Sequence, residues 1–190
     1  MEIRYAHPDE TTAVGALTEA GYRADGFLDG KGGVEDDYGD TLRNAADRAQ
    51  NAELLVMADG PSLLGTVTWC PVGSPYRELA TRDDQGEFRM LAVAPTARRR
   101  GVGRLLVQWC IERANADSLR EIVMCSMTEM TSAHALYSGL GFGRAPELDW
   151  RPVPHVLLLG FRLALGAPTT ADGTAGARVE AGTPDREDRR

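Results

Sequence analysis

The stretch EFRMLAVAPTARRRGVGR, residues 87–104, decides the fold of this chain. Its first part is an apolar, strand-like run that leads through Pro95 into a basic turn with two glycines. A helix is predicted next, because apolar side chains follow at helical spacing (Val102, Leu105, Leu106, Trp109). A helix start offers unpaired N–H groups and a partial positive charge, and glycines let the backbone approach an anion closely. A strand, a glycine turn and a helix in this order therefore predict a phosphate site.

The sequence excludes two common phosphate-binding motifs. No Gly-Lys-Ser/Thr occurs in the chain, so there is no Walker loop. The dinucleotide fingerprint needs a third glycine, which does not follow Gly101 and Gly103. The turn does contain R-x-x-G-x-G, filled by Arg98, Gly101 and Gly103. Alone, this short pattern also fits a solvated arginine cluster that opens a surface helix.

A second block, TSAHALYSGLGF at residues 131–142, predicts another helix. Its apolar side chains share one helical face (Ala133, Leu136, Tyr137, Leu140), and Gly141 follows where a left-handed C-cap is expected. Between the two blocks, EIVMCSM at residues 121–127 is typical of a buried parallel strand. Two such blocks with an intervening strand are far more specific than either one.

The two blocks together resemble the acetyl-CoA motifs of the GCN5-related N-acetyltransferase (GNAT) superfamily. The resemblance implies an α/β (α+β) GNAT fold, with a mixed central sheet of six to seven strands that is splayed between the fourth and fifth strands and flanked by about four helices. It covers about residues 1–165, as one acetyltransferase domain. It also implies transfer of an acetyl or short acyl group from acetyl-CoA, the co-substrate, to a primary amine, without a metal ion.

The resemblance also assigns the coenzyme contacts by position. The main chain of Leu91, Ala92 and Val93 would pair with the pantetheine arm, and an N–H near Leu91 or Ala92 would face the thioester oxygen. The pyrophosphate would lie on the turn (Arg98, Arg99, Arg100, Gly101, Val102, Gly103, Arg104). The family often has Asn seven residues before its tyrosine, where this chain has Met130. Thr131 or Ser132 would replace that contact, or the contact is absent.

Tyr137 matches the usual general acid of the family, which protonates the departing thiolate while a carboxylate or water takes the amine proton. A core aromatic on the buried helix face is the alternative. Glu87 opens the central strand, where many members place a carboxylate that relays the amine proton through water. A solvated acid at a strand end is equally compatible. Lesser candidates for the base are His134, His155 and Asp149.

Composition favours a cytoplasmic enzyme. The chain has 190 residues, 43% of them hydrophobic, a net charge of −7 that argues against a nucleic-acid surface, and no apolar run that could span a membrane. The polar N-terminus lacks a signal-peptide core. Cys70, Cys110 and Cys125 lack metal-ligand spacing and are expected to be reduced core thiols. Residues 166–190 contain no aromatic and a single large aliphatic side chain, so a disordered tail is expected.

The acceptor and its binding site are less constrained. A glycine-rich acidic loop is predicted over residues 21–40, and its carboxylates (Asp25, Asp29, Glu35, Asp36, Asp37, Asp40) would attract a cationic amine, such as a small molecule or a peptide terminus, or form a solvated loop. A helix is predicted to end near Ala20, and another over residues 41–50. Closing strands are predicted at residues 142–145 and 155–165, with a proline-marked connection at residues 151–154.

Two other classes of function compete with an enzyme. A silent acyl-CoA-binding sensor or regulator would need the turn at residues 98–103 but not Tyr137. A plain interaction domain would use the arginine cluster to bind an acidic partner. The resemblance also allows a homodimer, because the family often dimerises.

Overall fold

A computed structural model of the protein describes residues 1–28 and 36–166. Eight strands form one mixed sheet in the described residues, and five α-helices cover it. The strands are β1 (Glu2–Tyr5), β2 (Glu53–Asp59), β3 (Ser62–Cys70), β4 (Gln85–Val93), β5 (Glu121–Met127), β6 (Gly143–Arg144), β7 (Trp150–Val153) and β8 (Val156–Ala164). The helices are α1 (Thr11–Arg23), α2 (Asp36–Arg43), α3 (Ala45–Asn51), α4 (Val102–Ala116) and α5 (Thr131–Ser138).

The sheet order is β1-β2-β3-β4-β5-β8-β6, and β7 pairs with β8. Neighbouring strands are antiparallel except β4 and β5, which are parallel because α4 carries the chain back along the sheet. The predicted α/β class and mixed sheet are confirmed. The structure adds β7, which the sequence analysis treated as a connection, since the proline in this strand is tolerated at an edge.

Helices cover both faces of the sheet. The larger core lies between the sheet and α4 and α5, and includes Trp69, Phe88, Leu106, Tyr137 and Phe161. On the opposite face, α1, α2 and α3 pack over smaller clusters around other buried side chains (Val14, Leu42, Met90).

The helix predicted over residues 41–50 is wrong in extent. The chain forms α2 and α3 instead, with a break at Asn44. The Asn44 side chain accepts a hydrogen bond from the Asp47 N–H at 3.3 Å, so it caps a new helix and ends the previous one. The first helix also runs three residues beyond Ala20, to Arg23. Apart from Gly166, the expected tail lies outside the described residues, so the domain limits and the disorder stay predictions.

β4 and β5 separate part-way along their length. Their pairing runs from Gln85 opposite Glu121 to Glu87 opposite Val123, although the strands continue to Val93 and Met127. A bulge accompanies the separation, because the β3 register jumps between Arg89 and Ala92, and Met90 has a φ of 52°. Beyond Glu87, therefore, the β5-facing edge of β4 has no strand partner in the described residues.

Candidate active site

A cleft of about 920 Å³ begins at this separation and extends over the start of α4. Its walls come from the end of α1, the second half of β4, the turn before α4, the end of β5 and the start of α5. Nine of the ten residues predicted to bind the coenzyme line it: Leu91, Ala92, Val93, Arg98, Arg99, Gly101, Val102, Gly103 and Arg104. The fold thus brings one strand edge and one helix start to the same cleft.

The turn before α4 is shaped to present amide groups. Arg99 and Gly101 both have left-handed backbones, with φ of 61° and 81°. The first hydrogen bond into the helix runs from the Leu105 N–H to the Gly101 carbonyl at 3.0 Å. The N–H groups of residues 102–104 precede this bond, so they lie at the positive end of the helix dipole. This arrangement fits a diphosphate.

The arginines of the turn do not act alike. The Arg98 guanidinium donates to both carboxylate oxygens of Asp25, at 2.7 and 2.9 Å, and to the Gly21 carbonyl at 3.2 Å. Arg100 does not line the cleft. Its Nη2 lies 3.8 Å from the Met1 sulfur and 3.6 Å from an Asp59 oxygen.

Arg99 and Arg104 are exposed at the cleft. Arg104 also makes a long contact of 3.5 Å to the Gly139 carbonyl. The positive charge nearest the free amides therefore comes from Arg99 and Arg104, while Arg98 is already paired.

Tyr137 lies in α5 with 4% of its surface exposed. Its ring packs about 6 Å, centroid to centroid, from three phenylalanine rings (Phe88, Phe142, Phe161). It does not line the cleft, whereas its neighbour Leu136 does. Burial raises the pKa of the phenol above its usual range, so the group keeps its proton at neutral pH.

Glu87 is buried rather than solvated, with 1% of its surface exposed. Its carboxylate accepts hydrogen bonds from the N–H groups of Glu78, Leu79 and Ala80, at 2.9 to 3.2 Å. Burial raises the pKa of the carboxyl group, and these amides oppose the shift. Glu87 therefore holds the loop between β3 and β4 against the sheet.

The lesser base candidates already have partners or lie outside the cleft. His134 contacts the Met127 carbonyl through Nε2 at 3.0 Å and packs on the Phe161 ring. Asp149 pairs with Arg144 at 2.9 Å and accepts the Gly160 N–H at 2.7 Å, and the Arg144 guanidinium lowers the pKa of its carboxyl group. His155 is exposed in the turn between β7 and β8.

The position at which the family often has an asparagine lies at the start of α5. Met130, Thr131 and Ser132 all line the cleft, so both hydroxyl residues named as replacements lie at the predicted position. Gly103 faces this helix, where an added Cβ would lie 3.4 Å from Leu136.

The predicted acidic loop is only partly described. Asp29 and Glu35 lie outside the described residues, as do the side chains of Asp36 and Asp37. Asp25 pairs with Arg98, and Asp40 pairs with Arg43. Two of the six carboxylates are therefore neutralised within the protein.

An ion pair that was not predicted from the sequence lies beside the site. The Arg89 guanidinium, on β4, donates to Glu78 Oε1 at 2.6 Å and to the Tyr76 carbonyl at 3.2 Å. The only sequence signal was a lone arginine within an apolar strand. Trp69 is a core residue with 1% of its surface exposed.

Within residues 1–28 and 36–166, no group of three His, Cys, Asp or Glu side chains could hold a metal ion. No helix of the described chain is long and apolar enough to cross a bilayer. The three cysteines are unpaired thiols.

The family model of the acetyltransferase (GNAT) family matches residues 22–142. The chain belongs to this family. The resemblance noted in the sequence is confirmed. At the level of the family, membership also supports an acyltransferase that uses acetyl-CoA as co-substrate. A curated relative, mycothiol acetyltransferase from Rothia mucilaginosa, is 34% identical over 92 residues. That match spans 44% of this chain and a quarter of the relative, 25%.

Solved structures share the fold at low identity. The ribosomal-protein-alanine N-acetyltransferase of Brucella melitensis aligns with a TM-score of 0.61 and 19% identity, over 87% of this chain and 100% of that one. The yncA protein of Salmonella typhimurium, solved with its cofactor acetyl-CoA, aligns with a TM-score of 0.61 and 18% identity, over 97% and 98%. The ribosomal-protein-S18-alanine N-acetyltransferase of Escherichia coli aligns with a TM-score of 0.62 and 15% identity, over 95% of this chain and 99% of that one.

Proposed function

We propose that this protein is an N-acetyltransferase that moves an acetyl or short acyl group from acetyl-CoA to a primary amine on a small molecule or peptide, by direct attack. The observation that carries this proposal is the single cleft that joins the amides at the start of α4 to the unpaired edge of β4. A diphosphate fits the first feature, and an extended amide-bearing arm fits the second. The cytoplasmic location and the homodimer stay predictions.

Acetyl-CoA supplies an acyl thioester and a thiolate leaving group. The turn at residues 98–104 holds the negative diphosphate through amides and through Arg99 and Arg104. A main-chain N–H of Leu91 or Ala92 donates to the thioester oxygen and stabilises the charge that develops there. Tyr137, held protonated by burial and adjacent to the cleft-lining Leu136, is the proposed donor of a proton to the departing sulfur.

The amine proton leaves through water or a carboxylate. Glu87 is the proposed relay, and its raised pKa brings it closer to neutral pH than a solvated glutamate. Because its oxygens already accept amide hydrogens, the transfer runs through water rather than by direct contact with the amine.

The variant Tyr137→Phe tests this function. General acid catalysis typically contributes 10²–10⁴-fold, so kcat should fall by about this factor. Acetyl-CoA should still raise the melting temperature, by roughly 5–10 °C at 100 times Kd. Tyr5→Phe is the matched control. Tyr5 lies on the outer strand β1, and this change removes a hydroxyl that donates to the Glu53 carboxylate of β2. Full activity in Tyr137→Phe would refute the general acid, and coenzyme binding without turnover in the native chain would favour the non-catalytic sensor or regulator.

A further inference from the structure

The face of the sheet covered by α1 and α2 carries an arginine that is only partly used. The last pair between β4 and β5 is Glu87 opposite Val123, and Arg89 is the next residue of β4 on the same face as Glu87. Its side chain is 15% exposed, and only Nη1 donates to described residues, namely Glu78 and Tyr76. Nε and Nη2 form the other edge of the guanidinium, and they donate no hydrogen bond within the described chain. Two parallel N–H donors of this kind match a carboxylate.

Two phenols lie beside this guanidinium. Tyr22 of α1 and Tyr38 of α2 pack edge to face, with ring centroids 6.2 Å apart, and both cover the cluster around Met90. Tyr22 also lines the coenzyme cleft. Burial raises the pKa of both phenols, and each is within electrostatic reach of Arg89 and Cys125.

The hydroxyls of these two phenols lack protein partners in the described residues. Tyr5 and Tyr76 differ, because their hydroxyls donate to Glu53 and Asp47. Tyr22 and Tyr38 are only partly buried, so their hydroxyls are open to solvent and free to donate to a ligand with acceptor atoms.

A third donor comes from β7. The indole nitrogen of Trp150 is buried and has no hydrogen-bond partner in the described part of the chain. It lies beside the Cys125 thiol of β5, and burial raises the pKa of this thiol to about 11. We call Tyr22, Tyr38, Arg89, Cys125 and Trp150 the front cluster.

The front cluster offers donors and no free carboxylate. Glu78 is paired with Arg89, and the Glu87 oxygens are taken by amides. A cationic group would find no free counter-charge in this described part, whereas an oxyanion would find a guanidinium edge, two phenols and an indole N–H. Of the cluster, Tyr22 also lines the coenzyme cleft, and Arg89 lies where β4 leaves β5.

We propose that the acceptor of this enzyme carries a carboxylate close to its amine, as a free amino acid does, and that Arg89 binds this carboxylate while the amine points into the gap between β4 and β5. The inference rests on the proposed acetyl transfer and adds the class of acceptor. Successive residues of a strand are about 3.3 Å apart, so Arg89 and Leu91 are at most about 7 Å apart along β4. This span fits a small molecule that touches both the guanidinium and the thioester.

The test compares acceptors in matched pairs. Thiol release from acetyl-CoA is measured with the free amino acids, with their carboxamides and with spermidine as a cationic amine. An amino acid should exceed its carboxamide in kcat/KM by about 10- to 100-fold, the range expected for hydrogen bonds to a charged group. Arg89→Gln should reduce this ratio to near one, mainly through KM.

Two further variants keep the result interpretable. The double variant Arg89→Gln/Glu78→Gln removes both charges of the pair and should lose the preference for the acid over the carboxamide to the same extent. This result would show that the loss in Arg89→Gln does not come from leaving the Glu78 carboxylate unpaired. Arg113→Gln removes an arginine that pairs with Glu53 and Asp117 on the outer side of α4, and should keep the preference.

Each other outcome overturns the inference. Carboxamides or spermidine acetylated as well as the acids, or an unchanged ratio in Arg89→Gln, would exclude a carboxylate site at Arg89. Turnover with other amines but with no amino acid would refute the acceptor class and leave the acetyltransferase intact. A failure of acetyl-CoA to raise the melting temperature would refute the proposed function as well.

Discussion

Gly101 offers the most discriminating test of the phosphate site. Its φ is 81°, and no heavy atom outside its own chain neighbours lies within 4 Å of an added Cβ in the described structure. Gly101→Ala therefore introduces backbone strain without a clash. The left-handed conformation costs an L-residue about 1–2 kcal/mol.

This strain can lower either the stability of the protein or its affinity for coenzyme A. If the turn keeps its shape, the free energy of unfolding falls by about 1–2 kcal/mol and the melting temperature by roughly 2–8 °C. If the turn relaxes, its amides rotate away from the cleft. Coenzyme A must then restore the strained form on binding, which weakens Kd by roughly 5- to 30-fold. The two losses together should sum to the strain energy.

Gly60→Ala is the matched control. Gly60 lies in the turn between β2 and β3, has a φ of 57° and also has open space around it. Calorimetric titration with coenzyme A and urea unfolding are run on both variants. Gly60→Ala should lose stability alone. Equal coenzyme affinity and equal stability of Gly101→Ala and the native protein would refute the reasoning, as would an equal loss of affinity in Gly60→Ala.

Two further predictions concern charged groups. Asp25→Asn removes a carboxylate that lines the cleft and frees Arg98, so the Kd for coenzyme A should tighten by about two- to fivefold in calorimetry at low salt, and an unchanged or weaker Kd would contradict it. Arg4 lowers the pKa of Glu10 from 4.5 to about 2, so this pair stabilises the fold above pH 4.5 and is lost as the pH falls toward 2. Glu10→Gln should lower the melting temperature near neutral pH and flatten its decline in that window, whereas melting curves parallel to those of the native protein would sink the prediction.

Local patterns were sufficient where the structure depends on neighbours in the chain. The run from Glu87 to Arg104 encodes a strand, a turn and a helix because hydrophobic period and glycine act within a few residues. The same reasoning placed α5 and its tyrosine. It failed at Asn44, where one side-chain cap outweighs helical periodicity, and at β7, where an edge position tolerates a proline.

What the sequence by itself determined is the class of fold and the place of the phosphate turn, since both follow from short-range periodicity and backbone freedom. Only the tertiary structure decided which charges are available there. Arg98 meets Asp25 from 73 positions away, and Arg100 turns toward the N-terminus. Folding likewise buries Glu87 on three amides and leaves Arg89 with a free edge. Charges and hydrogen bonds join residues remote in the chain, and their strength depends on burial, which local patterns do not contain.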